Sequence, residues 1–227
     1  MLVKNWMSKK VFTVNMNQSM ADAMNLMKEN DIRMLPVMDK NGLVGIVTDG
    51  DIKRASASNA TTLEMHELLY LISKIKVKDI MTKKPITVFE DLTVEETAEI
   101  LLENKISGLP VVNKQNQLVG VITQDDIFRV LIALTGIKKR GIQFAFKLED
   151  KPGSIKELAD IIRIFGGRMV SILSTYEGTE EGYRKVYIRM YNIDREKMDH
   201  LRGELQKIGT LLYMVDLKEN RREIFTS

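Results

Sequence analysis

The order of apolar and polar positions predicts two copies of one structural unit, followed by a different unit. In the first copy, residues 11–14 indicate a short strand, residues 20–27 an amphipathic helix, and residues 35–48 a hairpin leading into a second helix. The same series returns at residues 86–88, 94–101 and 109–123, with its last helix beginning near Asp126. The pattern therefore predicts β-α-β-β-α twice.

Identical residues at a fixed spacing support this duplication. At an offset of 74, residues 35–37 match residues 109–111, and beyond the hairpin tip the offset becomes 75, so that residues 43–45 match residues 118–120. The added residue falls in a polar hairpin tip, where an insertion is tolerated. The two copies are therefore a true repeat.

Each copy is expected to begin its first helix at a polar cap, Ser19 or Thr93. The apolar residues that follow recur at spacings of three and four, which predicts one buried stripe on each helix. The stripes comprise Met20, Ala23, Met24 and Met27 in the first copy and Val94, Thr97, Ala98 and Leu101 in the second.

The pattern changes after residue 141. Alternating apolar residues at 144–148 predict a strand, a turn at 149–154 leads into a helix that ends at residues 166–167, and residues 168–176 and 183–191 predict two more strands. A helix from about residue 198 and a strand at 211–215 complete the order β-α-β-β-α-β. The fold class is therefore α+β. We expect a first domain at 1–135 (repeats at 1–60 and 77–135, connector at 61–76), a second at 142–217, and a polar tail at 218–227.

Composition narrows the function classes. The 227 residues include no cysteine, which excludes disulfides and thiolate zinc sites, and His66 and His200 each lack a second His or a Cys at ligand spacing. The longest apolar run, 130–134, is far too short to cross a bilayer, so we expect a cytoplasmic protein without a membrane partner. A net charge of +3, with acids interleaved among the bases, gives no basic face for nucleic acid.

One polar pattern suggests binding chemistry. Thr48-x-x-Asp51 and Thr123-x-x-Asp126 each follow a buried strand, at the expected start of a helix. A helix start favours phosphate, and the hydroxyl and carboxylate could hold a phosphate oxygen and a pair of ribose hydroxyls. The alternative is a capping box that only satisfies backbone donors. Duplication of the pattern favours ligand binding.

The repeats resemble a tandem pair of CBS domains. The resemblance rests on Gly-h-h-Thr-x-x-Asp at 45–51 and 120–126, where h is apolar, and on Ile-x-x-Leu-Pro at 32–36 and 106–110. It implies that adenine nucleotides or S-adenosylmethionine bind in clefts between the repeats. Asp51 and Asp126 would then hold ribose hydroxyls, and Thr48 and Thr123 would hold phosphate.

The resemblance also implies which residues line the two pockets. Adenine would lie against residues 32–36 or 106–110, and Arg54 and Arg129 would reach a phosphate unless they are only helix-surface charges. Ser107 and Gly108 leave more room for a base than Arg33 and Met34, so we expect the second site to be the stronger one. The remaining pocket residues are Thr13, Ile32, Met34 and Pro36 for the first site and Thr87, Ile106 and Pro110 for the second.

Residues 142–217 resemble an ACT domain, a ferredoxin-like module that often binds amino acids. The resemblance rests on the β-α-β-β-α-β order with Asp-x-Pro-Gly at its first turn. The effector residues it implies are Asp150, Pro152, Gly153, Ser154 and Ile155, at a helix start that could take a carboxylate. The alternative is a plain Pro-Gly turn with a serine cap. Arg168 stands where ligand-binding members often carry Asn, so the domain could serve dimerisation alone.

A CBS pair followed by one ACT domain is similar to the acetoin-utilisation accessory (AcuB) family. The resemblance implies a regulatory protein and a homodimer that responds to small-molecule effectors. No catalytic residues and no required cofactor are expected, since the chain has no Gly-rich phosphate loop and no paired histidines. The alternatives are an oligomerisation scaffold without a ligand and a nucleotide-hydrolysing enzyme. The sequence does not identify the regulated enzyme.

Overall fold

The computed structural model describes residues 1–59 and 74–225. Most of the predicted connector at 61–76, together with His66, lies outside these residues. The chain divides into two compact units, Met1–Phe128 and Arg129–Ser227.

The first unit has the predicted repeat of β-α-β-β-α. A 3-10 helix at Val3–Asn5 precedes the first repeat. Its elements are β1 (Val14–Asn15), α1 (Met20–Glu29), β2 (Met34–Asp39), β3 (Gly42–Thr48) and α2 (Asp49–Asn59). The second repeat contains α3 (Val77–Ile80), β4 (Thr82–Lys83), β5 (Val88–Phe89), α4 (Val94–Glu103), β6 (Gly108–Val112), β7 (Leu118–Thr123) and α5 (Gln124–Thr135), whose last turns belong to the second unit.

The two repeats pair their strands in the same way. β1 and β2 are parallel and β2 and β3 antiparallel, with Met34 opposite Thr48. In the second repeat β5 and β6 are parallel, β6 and β7 antiparallel, and Gly108 lies opposite Thr123. The observed strands Val14–Asn15 and Val88–Phe89 begin at the last residues of the strands predicted at 11–14 and 86–88, so each prediction overlaps its strand at one residue.

The leading segment of each repeat packs on the other repeat. The amide of Val3 donates to Leu92 O (2.9 Å), and Val3 belongs to the core of repeat two. Reciprocally, the amide of Val77 donates to Gln18 O (2.9 Å), and β4 adds to the sheet of repeat one beside β3. Residues 1–8 and 75–83 are thus exchanged between the repeats, which the repeat boundaries expected from the sequence do not show.

This exchange explains the glycine of each Gly-h-h-Thr motif. A Cβ at Gly45 would lie closer than 3.0 Å to Met81 Sδ, and a Cβ at Gly120 equally close to Met7 Sδ. Both methionines come from exchanged leading segments. Glycine is therefore needed here for close approach, since a larger residue would force the segment away from the sheet.

Helix caps and buried stripes agree with the sequence except at one residue. The Ser19 hydroxyl accepts from the amide of Asp22 (3.1 Å) and the Asp22 carboxylate accepts from the amide of Ser19 (2.9 Å), so hydrogen bonding with Ser19 lowers the pKa of Asp22. Thr93 and Glu96 form the same capping box. Met24, expected in the core, is 37% exposed because it lies at the edge of the α1 stripe.

The second unit has the β-α-β-β-α-β order of a ferredoxin-like fold, with one added strand. Its sheet order is β12-β11-β8-β10-β9, with all neighbours antiparallel. The elements are β8 (Ile142–Glu149), α6 (Ser154–Ile164), β9 (Arg168–Thr175), β10 (Tyr183–Tyr191), α7 (Met198–Gln206), β11 (Thr210–Asp216) and β12 (Arg221–Ile224), with short 3-10 helices at Ile137–Lys139 and Arg195–Lys197.

The stretch at 218–227, expected to be a polar tail, contains a strand instead, because β12 pairs with β11. Arg202 bonds Glu223 (3.0 Å), and the Phe225 side chain packs against the core of the unit. An edge strand of charged residues lacks the apolar alternation that identifies strands in a sequence, so the sequence does not predict its pairing.

The end of α5 is fixed within the second unit. The carbonyl oxygen of Thr135 accepts hydrogen bonds from Arg189 Nε (2.8 Å) and from the Ser171 hydroxyl (3.0 Å). Arg189 is only 5% exposed, and its Nη2 also donates to Gln143 Oε1 (2.7 Å). These contacts explain why the second unit begins before residue 135, the boundary expected from the sequence.

Candidate functional site

The first Thr-x-x-Asp motif forms the predicted strand-to-helix junction. Asp51 Oδ2 accepts from the amide (2.8 Å) and the hydroxyl (2.7 Å) of Thr48, while Thr48 Oγ1 accepts from the amide of Asp51 (3.3 Å). Arg54 binds the other oxygen, Oδ1. The capping interpretation therefore describes the local structure. The cap engages Oδ2, and Oδ1 is paired with the exposed side chain of Arg54, which a ligand would displace or share.

The second motif repeats this geometry at a deeper position. Asp126 Oδ2 accepts from the amide (2.8 Å) and hydroxyl (2.7 Å) of Thr123. Asp126 is 1% exposed, whereas the side chain of Asp51 is 10% exposed. A ligand can therefore reach Asp51 more easily than Asp126.

A cavity of about 500 Å³ lies beside Asp51 within the first unit. It joins the helix start of repeat one to the strand start of repeat two, so Ser107 and Gly108 line the same cavity as Asp51, while Gly108 also pairs with Thr123 of the second junction. Its lining is Met34, Ile46, Thr48, Asp51, Arg54, Thr82, Lys84, Pro85, Ile86, Lys105, Ile106, Ser107, Gly108, Leu109 and Gln124.

Two lysines in this lining are not predicted from the sequence. Lys84 and Lys105 both have left-handed backbones, with φ of 50° and 54°, at the turns that precede β5 and β6. With Arg54 they place three cations around a cavity in which Asp51 is the one carboxylate among the described lining residues. The Lys83-Lys84 pair repeats Lys9-Lys10, and this repetition is the available sequence signal for Lys84.

The space next to Gly108 is partly filled. A Cβ at Gly108 would lie 3.0 Å from Met34 Sδ and Cε and 3.1 Å from Thr123 Cγ2. Met34 belongs to repeat one, and its flexible thioether can give way. The room that Gly108 leaves is therefore shared between a ligand and Met34.

The other predicted nucleotide-binding residues lie outside this lining. Thr13 and Thr87 are exposed just before β1 and β5, and Pro36 and Pro110 are buried in the two hairpins. Ile32 packs against the core of repeat one. Thr123, Asp126 and Arg129 surround the equivalent junction of repeat two, where the amide of Gln124 bonds Ser107 O (2.9 Å) as that of Asp49 bonds Arg33 O (3.0 Å).

The predicted effector residues form the turn between β8 and α6. Asp150 pairs with Arg184 (2.7 Å), and the Ser154 hydroxyl donates to Lys151 O (3.1 Å). Gly153, with φ of 92°, stands at the N-cap and offers no side-chain cap. Pro152 is exposed, and Ile155 packs on the core of the unit. The side chains of Asp150 and Ser154 are thus already engaged, one with β10 and one within the turn.

Within residues 1–59 and 74–225, no group of three or more His, Cys, Asp and Glu is placed to hold a metal ion. Over the same residues, no helix combines the length and the apolar character needed to span a membrane.

The fold and the paired junctions define a CBS-domain protein. The model of the CBS domain family matches residues 3–58 and 77–133. A CBS domain-containing protein of Dictyostelium discoideum is 35% identical over 132 residues, which are 58% of this chain and 91% of that protein. The chain therefore belongs to the CBS-domain proteins.

Solved structures match a similar share of the chain. The CBS domain pair of protein MJ0100, in complex with 5'-methylthioadenosine and S-adenosyl-L-methionine, is 34% identical at a TM-score of 0.50, covering 58% of this chain and 95% of that one. A Vibrio cholerae structure named for acetoin utilization (AcuB) is 28% identical at a TM-score of 0.51, covering 61% of this chain and 96% of that one.

The relatives also include larger enzymes. An L-aspartate semialdehyde sulfurtransferase of Methanocaldococcus jannaschii is 36% identical over 130 residues, but these are only 23% of its length. The likeness is thus to one segment of that enzyme and brings no catalytic activity to this chain. The family model ends at residue 133, near the start of the second unit, and does not cover the rest of that unit.

Proposed function

We propose that the chain is a regulatory protein that binds an adenine nucleoside derivative, without turning it over, in the cavity beside Asp51. The observation that carries the proposal is that one cavity brings together a partly free carboxylate, an apolar strand start and three cations. These match the ribose, the base and the phosphate of a nucleotide.

The ribose hydroxyls would bind Asp51. Its Oδ2 is held by Thr48, which fixes the carboxylate at the mouth of α2. Within residues 1–59 and 74–225, its Oδ1 bonds to the Arg54 side chain, which is 74% exposed and can turn toward a ligand. Thr48 then positions the carboxylate, since its hydroxyl proton is already donated to Asp51.

The adenine ring would lie beside Ile106 and Gly108. Ile106 offers an apolar surface, and the backbone of Ser107 and Gly108 at the start of β6 lets a flat ring approach closely. A volume of about 500 Å³ lies within the usual range for small-molecule pockets.

The charge of the lining favours a phosphate-bearing ligand. Arg54, Lys84 and Lys105 outnumber the single carboxylate of Asp51. S-adenosylmethionine carries a positive sulfonium charge that these cations would repel, although the CBS domain pair of protein MJ0100 binds this ligand. We therefore expect AMP, ADP or ATP to bind more tightly than S-adenosylmethionine.

Calorimetry with AMP, ATP and S-adenosylmethionine tests the proposal. Asp51→Asn keeps an acceptor for Thr48 but removes the charge, and should weaken AMP binding by about tenfold or more, as loss of a charge-assisted hydrogen bond does. Asp126→Asn is the matched control and should have the smaller effect. Equal affinity in the wild type and Asp51→Asn would refute the assignment. Steady phosphate release from ATP would favour an enzyme instead.

A scaffold without a ligand is the second candidate. It is supported by the capping boxes, which give both Thr-x-x-Asp motifs a purely structural role. This candidate predicts no heat of binding with any of the three ligands and no loss of assembly in Asp51→Asn.

The second unit would contribute assembly and effector sensing. Its β-α-β-β-α-β order and its Asp-x-Pro-Gly turn support an ACT domain, and the acetoin pathway is supported by the name of one neighbour. The match covers 96% of that neighbour but 61% of this chain. The pathway proposal therefore rests on the CBS pair. A thermal-shift screen of amino acids tests sensing at residues 150–155. No shift with any amino acid would leave assembly as the role of this unit.

A further inference from the structure

A second cavity, of about 400 Å³, lies within the second unit. It lies beside the start of β8 and beside the residues that follow β10 and β11. Four of its lining side chains are basic, Lys139, Arg140, Arg195 and Lys218, and Asp194 is the one acidic side chain among the described residues of the lining.

Arg195 is already neutralised. It forms a two-pronged pair with Asp216 (Nε to Oδ2 3.1 Å, Nη2 to Oδ1 3.2 Å) and also contacts Glu219 (3.3 Å). Burial would raise the pKa of Asp216, but hydrogen bonds from Arg195 and from the amides of Glu219 and Lys218 outweigh it and lower the pKa. Arg195 and Asp216 thus brace the cavity wall.

The other three cations form no ion pair within the described part of the chain. Lys139 lies over the Tyr191 ring, 5.9 Å from its centre, and neither Arg140 nor Lys218 approaches a carboxylate within ion-pair distance there. With Asp194 counted, the lining keeps an excess of two positive charges. Like charges gathered at one concavity favour an anion.

The backbone holds these groups in place. Arg140 and Asn192 face the same cavity with left-handed backbones, φ of 46° and 65°. Asn adopts this conformation readily, whereas Arg140 keeps it because the surrounding structure imposes it. At Gly141, the residue that follows Arg140, a Cβ would collide with the carbonyl oxygen of Met190. The tight packing of β8 against β10 thus directs the chain that presents Lys139 and Arg140.

We propose that this cavity binds a small phosphate dianion through Lys139, Arg140 and Lys218. Two negative charges match the excess charge, and three phosphate oxygens can each take a hydrogen bond from a different side chain. The site is separate from the turn at residues 150–155, since the two lie at opposite ends of β8, roughly 23 Å apart at about 3.3 Å per strand residue.

The test uses the full-length chain and inorganic phosphate at constant ionic strength, followed through the backbone amide resonances of Gly141 and Asn192. These resonances should shift with saturation. In Arg140→Asn combined with Lys218→Gln, the affinity should fall by about tenfold or more. Asn tolerates the left-handed backbone at residue 140, so the fold should be kept. Lys138→Gln, an adjacent lysine outside the lining, is the matched control and should leave the affinity unchanged.

Separate resonances distinguish this site from the nucleotide cavity, because phosphate bound beside Asp51 would shift Thr48 and Gly108 instead. Unchanged Gly141 and Asn192 resonances would overturn the proposal, as would equal affinity in the double variant. Succinate binding as tightly as phosphate would overturn the assignment to phosphate.

Discussion

The buried Arg189 should contribute to the stability of the second unit and hold the end of α5. The informative change is Arg189→Met, which keeps an unbranched chain of similar size but removes every donor. It removes the hydrogen bonds to Thr135 O (2.8 Å) and Gln143 Oε1 (2.7 Å). The Thr135 carbonyl keeps the Ser171 hydroxyl (3.0 Å), whereas Gln143 Oε1 loses the guanidinium.

The two lost bonds are charge-assisted, so together they amount to about 3 to 6 kcal/mol. Opposing terms reduce this figure. Burial lowers the pKa of Arg189, which shows that its charged form is penalised there, and within the described residues its Nη1 is buried without a hydrogen-bond partner. An unsatisfied buried donor costs about 1 to 3 kcal/mol. We therefore expect Arg189→Met to lower the free energy of unfolding of the second unit by about 2 kcal/mol.

Urea unfolding can assign this loss to one unit. The single tryptophan, Trp6, reports on the first unit by fluorescence, and five of the six tyrosines report on the second by near-UV circular dichroism. The tyrosine transition should move to lower urea. Ser171→Ala is the control, because it removes one neutral bond to the same carbonyl and should cost only about 1 kcal/mol. An unchanged or higher tyrosine midpoint in Arg189→Met would show that Arg189 does not stabilise the second unit.

Three further outcomes are expected. Gly108→Ala would push the flexible end of Met34 into the nucleotide cavity. The AMP affinity measured by calorimetry should therefore fall by about tenfold, while the free energy of unfolding changes by less than about 1.5 kcal/mol. An unchanged AMP affinity would contradict the placement of the ligand beside Gly108. Asp216→Asn should lower the free energy of unfolding by about 2 kcal/mol at neutral pH. Because the folded pKa of Asp216 is depressed, the stability difference between wild type and Asp216→Asn should be fully present above the unfolded pKa of about 3.9 and disappear as pH falls through the folded pKa. A stability difference that does not change with pH would exclude the charge of Asp216 as its cause. Light scattering should give twice the 26.0 kDa monomer mass, and the monomer mass would exclude a homodimer.

Features determined by neighbouring residues were predictable from the sequence. The capping boxes at Ser19 and Thr93 use residues only three positions apart, and the helix stripes follow directly from periodicity. The duplicated Thr-x-x-Asp pattern likewise predicts a helix start at Thr48 and Asp51, and α2 begins between them at Asp49. The prediction for Met24 was wrong because periodicity gives the direction of a stripe but not its width.

Features determined by distant contacts were not predictable. The close approach of Met7 to Gly120 requires an exchange of segments that no local pattern encodes. The cavity also brings Ser107 to the same lining as Asp51, and for this reason we propose the first junction as the stronger site, whereas the sequence favours the second. Lys105 joins the cavity through a left-handed turn, for which a lysine gives no sequence signal.

The most direct test of the central claim is a crystal structure of the full chain grown with AMP. We expect AMP in the cavity of the first unit, with its ribose hydroxyls within hydrogen-bond distance of Asp51, its base beside Ile106 and Gly108, and its phosphate near Lys84 or Lys105. An empty cavity at saturating AMP, or AMP bound only elsewhere on the chain, would contradict it.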